Sequence, residues 1–377
     1  MTPTTYELID TPEAANRWLF SLDDAPCLGV DFEADGLFSY REKVCLIQVT
    51  ANGENRILDP LTVPEVLTGF APVLADPDLP KVFHGADYDV RLWKRATNSP
   101  LRGLFDTMIA AQFCGRGQVG LAALLAEFFD LTLDKRYQKA NWGKRPLERG
   151  MLEYAALDTA YLLPLRELLE KELEQLDRLA WAQEEFRLLE AAEPAPLRPP
   201  SCFDVKGSRR LAPRQLAALQ ALLEIRDGAA AESDRPPFKV LNNSVLLAWA
   251  ETPPRNRGEV LASPGANRGI LGRLATPVLD ALKRTRDLAA QDCPRPPSNG
   301  PFEPLTTAQE KRLKRLKTAR TARAEQLDLP MGLLVNTATL ERLTRQPPEE
   351  LPAILEEQLK NWQQEVVGDD LLEAARG

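Results

Sequence analysis

The sequence predicts a mixed α/β domain followed by two all-α segments. Its first half contains short apolar runs, separated first by turns and then by helix-like stretches, a pattern typical of a mixed sheet covered by helices. Beyond residue 200, leucines recur at helical spacing instead. Two proline-rich stretches, 193–200 and 293–301, cannot continue helices or strands and are expected to be linkers. The predicted domains are 1–193, 201–292 and 302–377.

Five apolar runs in the first domain have the length and composition of strands. They are residues 27–33, 44–50, 56–59, 81–84 and 103–106. Helical patterns occupy 64–75 and most of 107–190. Short turns separate the first three strands and helices separate the later ones, so we expect a mixed sheet with helices packed on it. In the all-α part, the second and third segments share a loose plan, which indicates a weak internal repeat.

Composition excludes several classes of protein. The five cysteines are scattered singly, which argues against a disulfide framework and against a zinc site. The one histidine, His84, leaves no room for histidine-rich metal sites, and no G-x-S-x-G motif accompanies it. No leader and no apolar run of about 20 residues is visible, so we expect a cytoplasmic protein without a membrane partner. If the chain is an enzyme, carboxylates are expected to carry the chemistry.

Asp31 and Glu33 form the first candidate site. Side chains two apart on a strand point to the same face, so these two carboxylates would lie side by side and repel each other. A divalent cation such as Mg²⁺ would offset that repulsion. Taken alone, the pair is equally an acidic strand end with no function, because short motifs have many false positives.

Two further pairs occur later in the chain. Tyr154 and Asp158 are one turn apart on a predicted helix, so they are neighbours on one face. Asp89 lies five residues after His84, where a predicted strand leads into a helix. Asp87 or Asp89 could instead be a first-turn acid that stabilises that helix through its dipole, and Asp158 could be a solvated surface acid.

The order of these pieces resembles the DEDD superfamily of 3′→5′ exonucleases, in the subclass whose third motif carries tyrosine. VDFEADGL at 30–37 is similar to the first motif, VFHGADYD at 82–89 to the second and YAALD at 154–158 to the third. The flanking phrases VCLIQV, LFDT and KANWGKRPL are most similar to the ribonuclease D family.

The resemblance implies a ribonuclease H-like fold with a mixed five-stranded sheet, followed by two HRDC-like helical modules. It implies that two divalent metal ions, Mg²⁺ or Mn²⁺, are bound by Asp31, Glu33, Asp89 and Asp158. Tyr154 would orient the attacking water, since its ordinary pKa near 10 makes it a poor base. The expected reaction is two-metal-ion hydrolysis from the 3′ end of RNA, which releases nucleoside 5′-monophosphates.

Other expectations concern the RNA. The resemblance implies transfer RNA precursors as substrates, and no protein partner can be inferred. A basic stretch before the third motif is expected to contact phosphate; it contains Lys135, Arg136, Lys139, Lys144 and Arg145. His84 is expected to support the metal ligands without binding metal. The alternatives are a DNA 3′→5′ exonuclease and a nucleic-acid-binding protein that has lost catalysis.

Overall fold

The computed structural model describes residues 5–22, 24–264, 267–295, 303–347 and 349–376. Within these residues, six strands form one sheet: β1 Glu7–Ile9, β2 Leu28–Ala34, β3 Val44–Ala51, β4 Glu54–Leu58, β5 Lys81–Phe83 and β6 Leu104–Asp106. Their order across the sheet is β1-β4-β3-β2-β5-β6. The strands β1 and β4, β2 and β5, and β5 and β6 pair in parallel, whereas β3 and β4 are antiparallel. The predicted mixed sheet is therefore confirmed.

The sheet has one more strand than the five predicted. The additional strand, β1, is three residues long and pairs at the sheet edge with β4. Three residues are too few to show the alternation of apolar and polar side chains by which a strand is identified. The other five strands lie within two residues of their predicted bounds.

Among the described residues up to 190, eight helices accompany the strands. They are α1 Pro12–Phe20, α2 Glu65–Ala75, α3 Asp87–Thr97, α4 Thr107–Phe113, α5 Leu121–Phe129, α6 Arg149–Ala160, α7 Leu162–Gln175 and α8 Leu179–Glu190. The strand β3 is buried along its whole length, as expected for an inner strand of a sheet covered on both faces. No described helix combines the length and the apolar character that a membrane span requires.

The chain divides into two compact units, and their boundaries do not follow the predicted linkers throughout. The first unit takes the described residues of Met1–Glu33, Val44–Pro194 and Glu303–Gly377. The second takes those of Ala34–Lys43 and Ala195–Phe302. The first proline-rich stretch contains no helix or strand from residue 192 to 200. Most of the second stretch, residues 296–301, lies outside the described residues.

The second unit is all-α. Its helices are α9 Pro213–Glu232, α10 Pro237–Val240, α11 Asn243–Glu251, α12 Arg257–Leu261 and α13 Arg268–Arg286. Leu219 and Leu222 of α9, Leu246 of α11 and Leu271 of α13 are fully buried or nearly so and belong to one apolar core. Leucines from three helices thus close a core that is separate from that of the sheet.

The C-terminal helices belong to the first unit. They are α14 Thr307–Leu327, α15 Met331–Leu334, α16 Thr337–Arg345, α17 Leu351–Gln358, α18 Asn361–Gln363 and α19 Asp369–Arg376, with a π-helical turn at Gln364–Gly368. The buried Trp362 packs on Phe113 of α4 and Trp181 of α8, at ring-centre distances of 5.0 and 5.8 Å. Its indole N–H donates to Glu185 at 2.7 Å. Residues 303–376 therefore share an apolar core with the sheet domain. The three predicted domains stay a prediction, since these contacts alone do not define folding units.

A buried arginine reveals the internal repeat. Arg226 of α9 donates to the carbonyl of Leu241, 15 residues later, and to the side chain of Asn243, 17 residues later. Arg320 of α14 donates at the same two spacings, to Val335 and Thr337. Both arginines are only 9% exposed. The same internal hydrogen bonds therefore stabilise the turn after the long helix in both helical segments.

The shared core predicts how Trp362→Ala will act. Loss of a buried tryptophan should cost about 3–5 kcal/mol and should loosen α4 and α8 together with the C-terminal helices. Amide hydrogen exchange, read helix by helix, measures this. Trp249→Ala, at an equally buried position of α11, is the control and should loosen only the second unit. Unchanged protection of α4 and α8 in Trp362→Ala would contradict the shared core.

Candidate metal centre

Three of the predicted acids converge at the end of β2. Asp31, Glu33 and Asp158 each offer a carboxylate oxygen, and these oxygens all lie within 4.8 Å of one another. Asp31 and Glu33 project from the same face of β2, and Asp158 comes from α6. The carboxyl ends of parallel strands are where open α/β sheets place their ligand sites.

Asp89 lies beside this cluster without belonging to that set of oxygens. It is in the first turn of α3 and is 7% exposed. Burial raises the pKa of Asp89, and the charges of Asp31 and Asp106 raise it further. The charge of Asp89 in turn raises the pKa of Glu33. Asp89 is therefore close enough to act on the cluster electrostatically.

The electrostatics of the four acids match a cation site. Burial raises the pKa of Asp31 to about 7. Burial, followed by the charges of Asp31, Asp158 and Asp89, raises the pKa of Glu33 to about 10. The pKa of Asp158 is also well above its ordinary value, mainly through burial. No lysine or arginine among the described residues offsets these shifts, so the compensating charge must come from a bound cation or from protons.

Gln48 provides a second sign that the site takes a ligand. It is fully buried on β3, the neighbour of β2, and neither atom of its amide has a hydrogen-bond partner among the described residues. Gln48 and Thr50 share one face of β3, and Thr50 reaches α6, so Gln48 faces the side of the sheet on which α6 lies. Buried amides without partners are rare in folded proteins. Oxygen ligands beside a polar wall fit Mg²⁺ or Mn²⁺.

The helix α6 is held closely against β2 and β3. The Thr50 hydroxyl lies 2.8 Å from that of Thr159, the residue after Asp158. A Cβ atom at Gly29 would come within 3.2 Å of the Thr159 carbonyl oxygen. Glycine at position 29 therefore permits the close approach that brings Asp158 to the carboxylates of β2.

Tyr154 points toward the same acids from one turn earlier on α6. Its hydroxyl is hydrogen-bonded to Asp158. Burial, and then the charges of Asp158, Glu33 and Asp31, raise its pKa, so it is a proton donor and not a base. The rings of Trp142 and Tyr137 lie 6.2 and 6.0 Å from its ring and fix its direction. The predicted pairing of Tyr154 with Asp158 is present in the structure.

His84 follows β5 directly and is hydrogen-bonded to the first residue of α4. The hydroxyl of Thr107 donates to the carbonyl of Phe83, so it accepts from Nδ1 of His84 at 2.9 Å. Burial lowers the pKa of His84, which favours the neutral ring.

Asp106 was not predicted as a site residue. Its buried carboxylate accepts four backbone N–H groups, from Gly85, Ala86, Met108 and Ile109, at 2.8–3.2 Å. It thereby fixes the entry to α3, where capping by Asp87 or Asp89 was the alternative to a functional role. The signal in the sequence is the phrase LFDT, in which an aspartate directly follows a strand and precedes a helix.

The predicted basic stretch divides into two groups. Arg145 forms a bidentate ion pair with Asp59 at 2.6 and 2.7 Å, and its remaining donors reach the carbonyls of Cys45, Trp142 and Lys144. Arg136 pairs with Asp134 at 2.5 Å while largely exposed. The side chains of Lys135, Lys139 and Lys144 are exposed and have no partner among the described residues. Arg145 is thus engaged within the fold, and the lysines are available to a ligand.

Comparison with known proteins agrees with this fold and site. The family model for a 3′-5′ exonuclease matches residues 6–174, and the HRDC domain model matches residues 215–282. Fold and site therefore define a 3′-5′ exonuclease with a helical module of the HRDC type.

Individual relatives identify the family. The chain is 32% identical over 327 residues to the ribonuclease D of Xanthomonas oryzae, which covers 85% of this chain and 86% of the relative. It is 29% identical over 369 residues to the ribonuclease D of Gluconacetobacter diazotrophicus. This match covers 97% of this chain and 91% of the relative. The crystal structure of Escherichia coli RNase D, described as an exoribonuclease involved in structured RNA processing, matches with a TM-score of 0.74, 26% identity and 99% of each chain covered. The chain belongs to the ribonuclease D family and is a 3′-5′ exoribonuclease.

The raised pKa values predict how stability depends on pH without metal. Asp31 and Glu33 hold protons more tightly in the folded chain, so stability is greatest below their ordinary pKa values of 3.8 and 4.5 and is lost as the pH rises toward about 7 and 10. The thermal midpoint of metal-free protein should therefore fall from pH 5 to pH 9. The fall should be about 2–4 °C for each kcal/mol lost from the free energy of unfolding. Excess Mg²⁺ should oppose the fall.

Glu33→Gln tests the origin of this dependence. The variant replaces the carboxyl by a neutral amide and should flatten the pH profile of the thermal midpoint. Glu54→Gln changes an exposed glutamate in the same way and should leave the profile as it is. Parallel profiles for Glu33→Gln and the unaltered protein would show that the acidic cluster does not cause the dependence.

Proposed function

We propose that the chain shortens RNA from its 3′ end by two-metal-ion hydrolysis and releases nucleoside 5′-monophosphates. The observation that carries this proposal is the convergence of Asp31, Glu33 and Asp158 within 4.8 Å, with Asp89 beside them. These four acids would hold Mg²⁺ or Mn²⁺. Bound there, such ions supply activation of water and stabilisation of the departing 3′ oxygen.

The chain's own residues would order that reaction. The four carboxylates would hold a cation in their ionised form, since only that form is a good ligand. Tyr154, which is hydrogen-bonded to Asp158, would donate its hydroxyl to the attacking water and so fix the direction of attack. Its raised pKa supports a positioning role and argues against proton abstraction. Asp106 and Thr159 would keep Asp89 and Asp158 in place.

We extend the proposal to substrate and location. Transfer RNA precursors are the proposed substrates, which accords with the description of the Escherichia coli relative as acting in structured RNA processing. A cytoplasmic location accords with the five free cysteines of the described chain. The proposed folding domains remain 1–193, 201–292 and 302–377, with the third packed on the first.

A time course on 5′-labelled RNA tests the reaction. A ladder that appears with Mg²⁺ and disappears with chelator fixes direction and cofactor together. Single-stranded DNA of the same sequence tests the alternative substrate. If neither Mg²⁺ nor Mn²⁺ leads to shortening of the RNA, the alternative of a nucleic-acid-binding protein that has lost catalysis is favoured.

Asp158→Asn should separate turnover from binding. It should lower the rate by about 100-fold or more, since removal of one stabilising group commonly costs that much, and it should leave RNA affinity measured in Ca²⁺ nearly unchanged. Glu153→Gln, an exposed change on the same helix, should retain full activity. A variant that fails to fold would show that Asp158 is structural instead.

The three exposed lysines are the proposed phosphate contacts. In a variant with Lys135, Lys139 and Lys144 all changed to Ala, the slope of log affinity against log salt should fall by up to about 2, since each phosphate that is no longer neutralised removes about 0.7. Lys171→Ala, an exposed lysine of α7, should keep the slope. Arg145 is left intact because its loss would leave the buried Asp59 without its partner. An unchanged slope in the triple variant would rule out a role for these lysines in binding phosphate.

A further inference from the structure

Gln48 is buried without hydrogen bonds, in contrast to a second buried glutamine of the same unit. It lies in the middle of β3 with 0% of its surface exposed, and neither its amide nitrogen nor its amide oxygen has a partner among the described residues. Gln363, which is 8% exposed, donates to the carbonyl of Leu333 at 2.9 Å and accepts the backbone N–H of Lys360 at 3.1 Å. The fold therefore satisfies one buried amide at both ends and leaves the other without a partner.

The neighbour of β3 in the sheet is β2, the strand that carries Asp31 and Glu33. Residues 35–43 join the two strands. A connection of this length indicates an antiparallel pair, because parallel strands need a crossover of about a dozen residues or more. Gly29 locates the pairing, since a Cβ atom there would lie 3.6 Å from the Cβ atom of Thr50. Residues 28–34 then lie opposite residues 51–45, so β2 pairs along its whole length.

This pairing places Gln48 directly opposite Asp31. Asp31 is two residues beyond Gly29 on β2. Its partner on β3 is therefore two residues before Thr50, and both side chains project from the same face of the sheet. The Cβ atoms of directly opposite residues are about 4.5–5.5 Å apart. The Thr50 hydroxyl is bonded to α6, so this is the face on which Asp158 of α6 reaches Asp31.

The chemistry of the amide suits a supporting role beside a ligand carboxylate. An ionised carboxylate accepts hydrogen bonds at both oxygens, so it keeps acceptor capacity while it binds a cation. The amide nitrogen of Gln48 offers N–H donors and no charge, so it can hold Asp31 in one direction without competing with the cation. Because Gln48 is fully buried, direct contact with RNA is not available to it.

We propose that Gln48 is a positioning residue for Asp31: its amide N–H donates to the Asp31 carboxylate when a cation is bound there and fixes the direction of that ligand. This inference rests on the proposed function of the four acids as metal ligands. Partners of metal ligands commonly contribute about 10–100-fold to metal affinity. In the metal-free chain, the same amide opposes folding, since it is desolvated and unpaired. Its effects on metal affinity and on stability therefore have opposite signs.

The variant Gln48→Met separates these two effects. Methionine is unbranched like glutamine and is apolar, so the variant removes the amide and still fills the space. Gln363→Met makes the same change at the buried glutamine that has partners at both ends, and it is the matched control. Gln48→Leu is a second apolar variant of position 48, for use where Gln48→Met does not fold.

Three measurements are made on the full-length chain. Calorimetric titration with Mn²⁺ gives the metal affinity without reference to activity, and the thermal midpoint in chelator gives the stability of the metal-free protein. Rates of RNA shortening over a range of Mn²⁺ concentrations give the concentration needed for half the full rate.

We expect Gln48→Met to bind Mn²⁺ about 10-fold more weakly and to need about 10-fold more Mn²⁺ for half the full rate. Its thermal midpoint in chelator should be equal to or higher than that of the unaltered protein. Gln363→Met should lower the midpoint and leave the Mn²⁺ affinity as it is.

Unaltered Mn²⁺ affinity in Gln48→Met would overturn the proposal. A midpoint in chelator that falls as far as in Gln363→Met would overturn it as well, because the amide would then serve the fold. The same criteria apply to Gln48→Leu, and failure of both variants to fold would likewise show a structural role. If the unaltered protein binds Mn²⁺ but shortens no RNA, the proposed function fails while the titration and the midpoint still judge this inference.

Discussion

Repulsion among closely spaced, partly buried carboxylates is the constraint on which the rest of the site depends. Asp31, Glu33 and Asp158 lie within 4.8 Å of one another, and Asp89 adds its charge from α3. Burial and mutual repulsion raise the pKa values of Asp31 and Glu33, so protonation would relieve the repulsion where no cation does. Packing elsewhere in the domain offsets the free energy that this arrangement costs, and a bound cation would offset more of it.

The support of the site is accordingly neutral or internally balanced. The Thr159 hydroxyl, the missing side chain of Gly29 and the backbone N–H groups around Asp106 bring no net positive charge to the acids. Asp59 and Arg145 neutralise each other elsewhere in the same domain. A lysine or arginine placed against the cluster would stabilise the empty site and compete with the cation. The fold therefore positions the acids through shape and backbone hydrogen bonds.

Local spacing made much of this predictable. Asp31 and Glu33 share a face because strands alternate, and Tyr154 meets Asp158 because helices repeat every 3.6 residues. The contacts that join distant parts of the chain were not visible in this way. Arg145, which the sequence predicts to contact phosphate, forms an ion pair with Asp59, 86 residues away in the chain. Likewise, nothing in the local pattern assigns residues 34–43 to the helical unit or residues 303–376 to the core of the sheet domain.

The two helical repeats share their internal hydrogen bonds but differ in what their outer faces contact. Arg226 and Arg320 make the same internal hydrogen bonds, which constrain only the long helix and the turn after it. These hydrogen bonds do not constrain the outer faces of the repeats. In the second repeat, Trp362 and Lys360 contact Glu185 of α8. The HRDC model matches the first repeat at 215–282, the copy that keeps a core of its own. The second repeat instead packs its outer face into the core of the sheet domain, so the side chains on that face must satisfy the packing of a shared core.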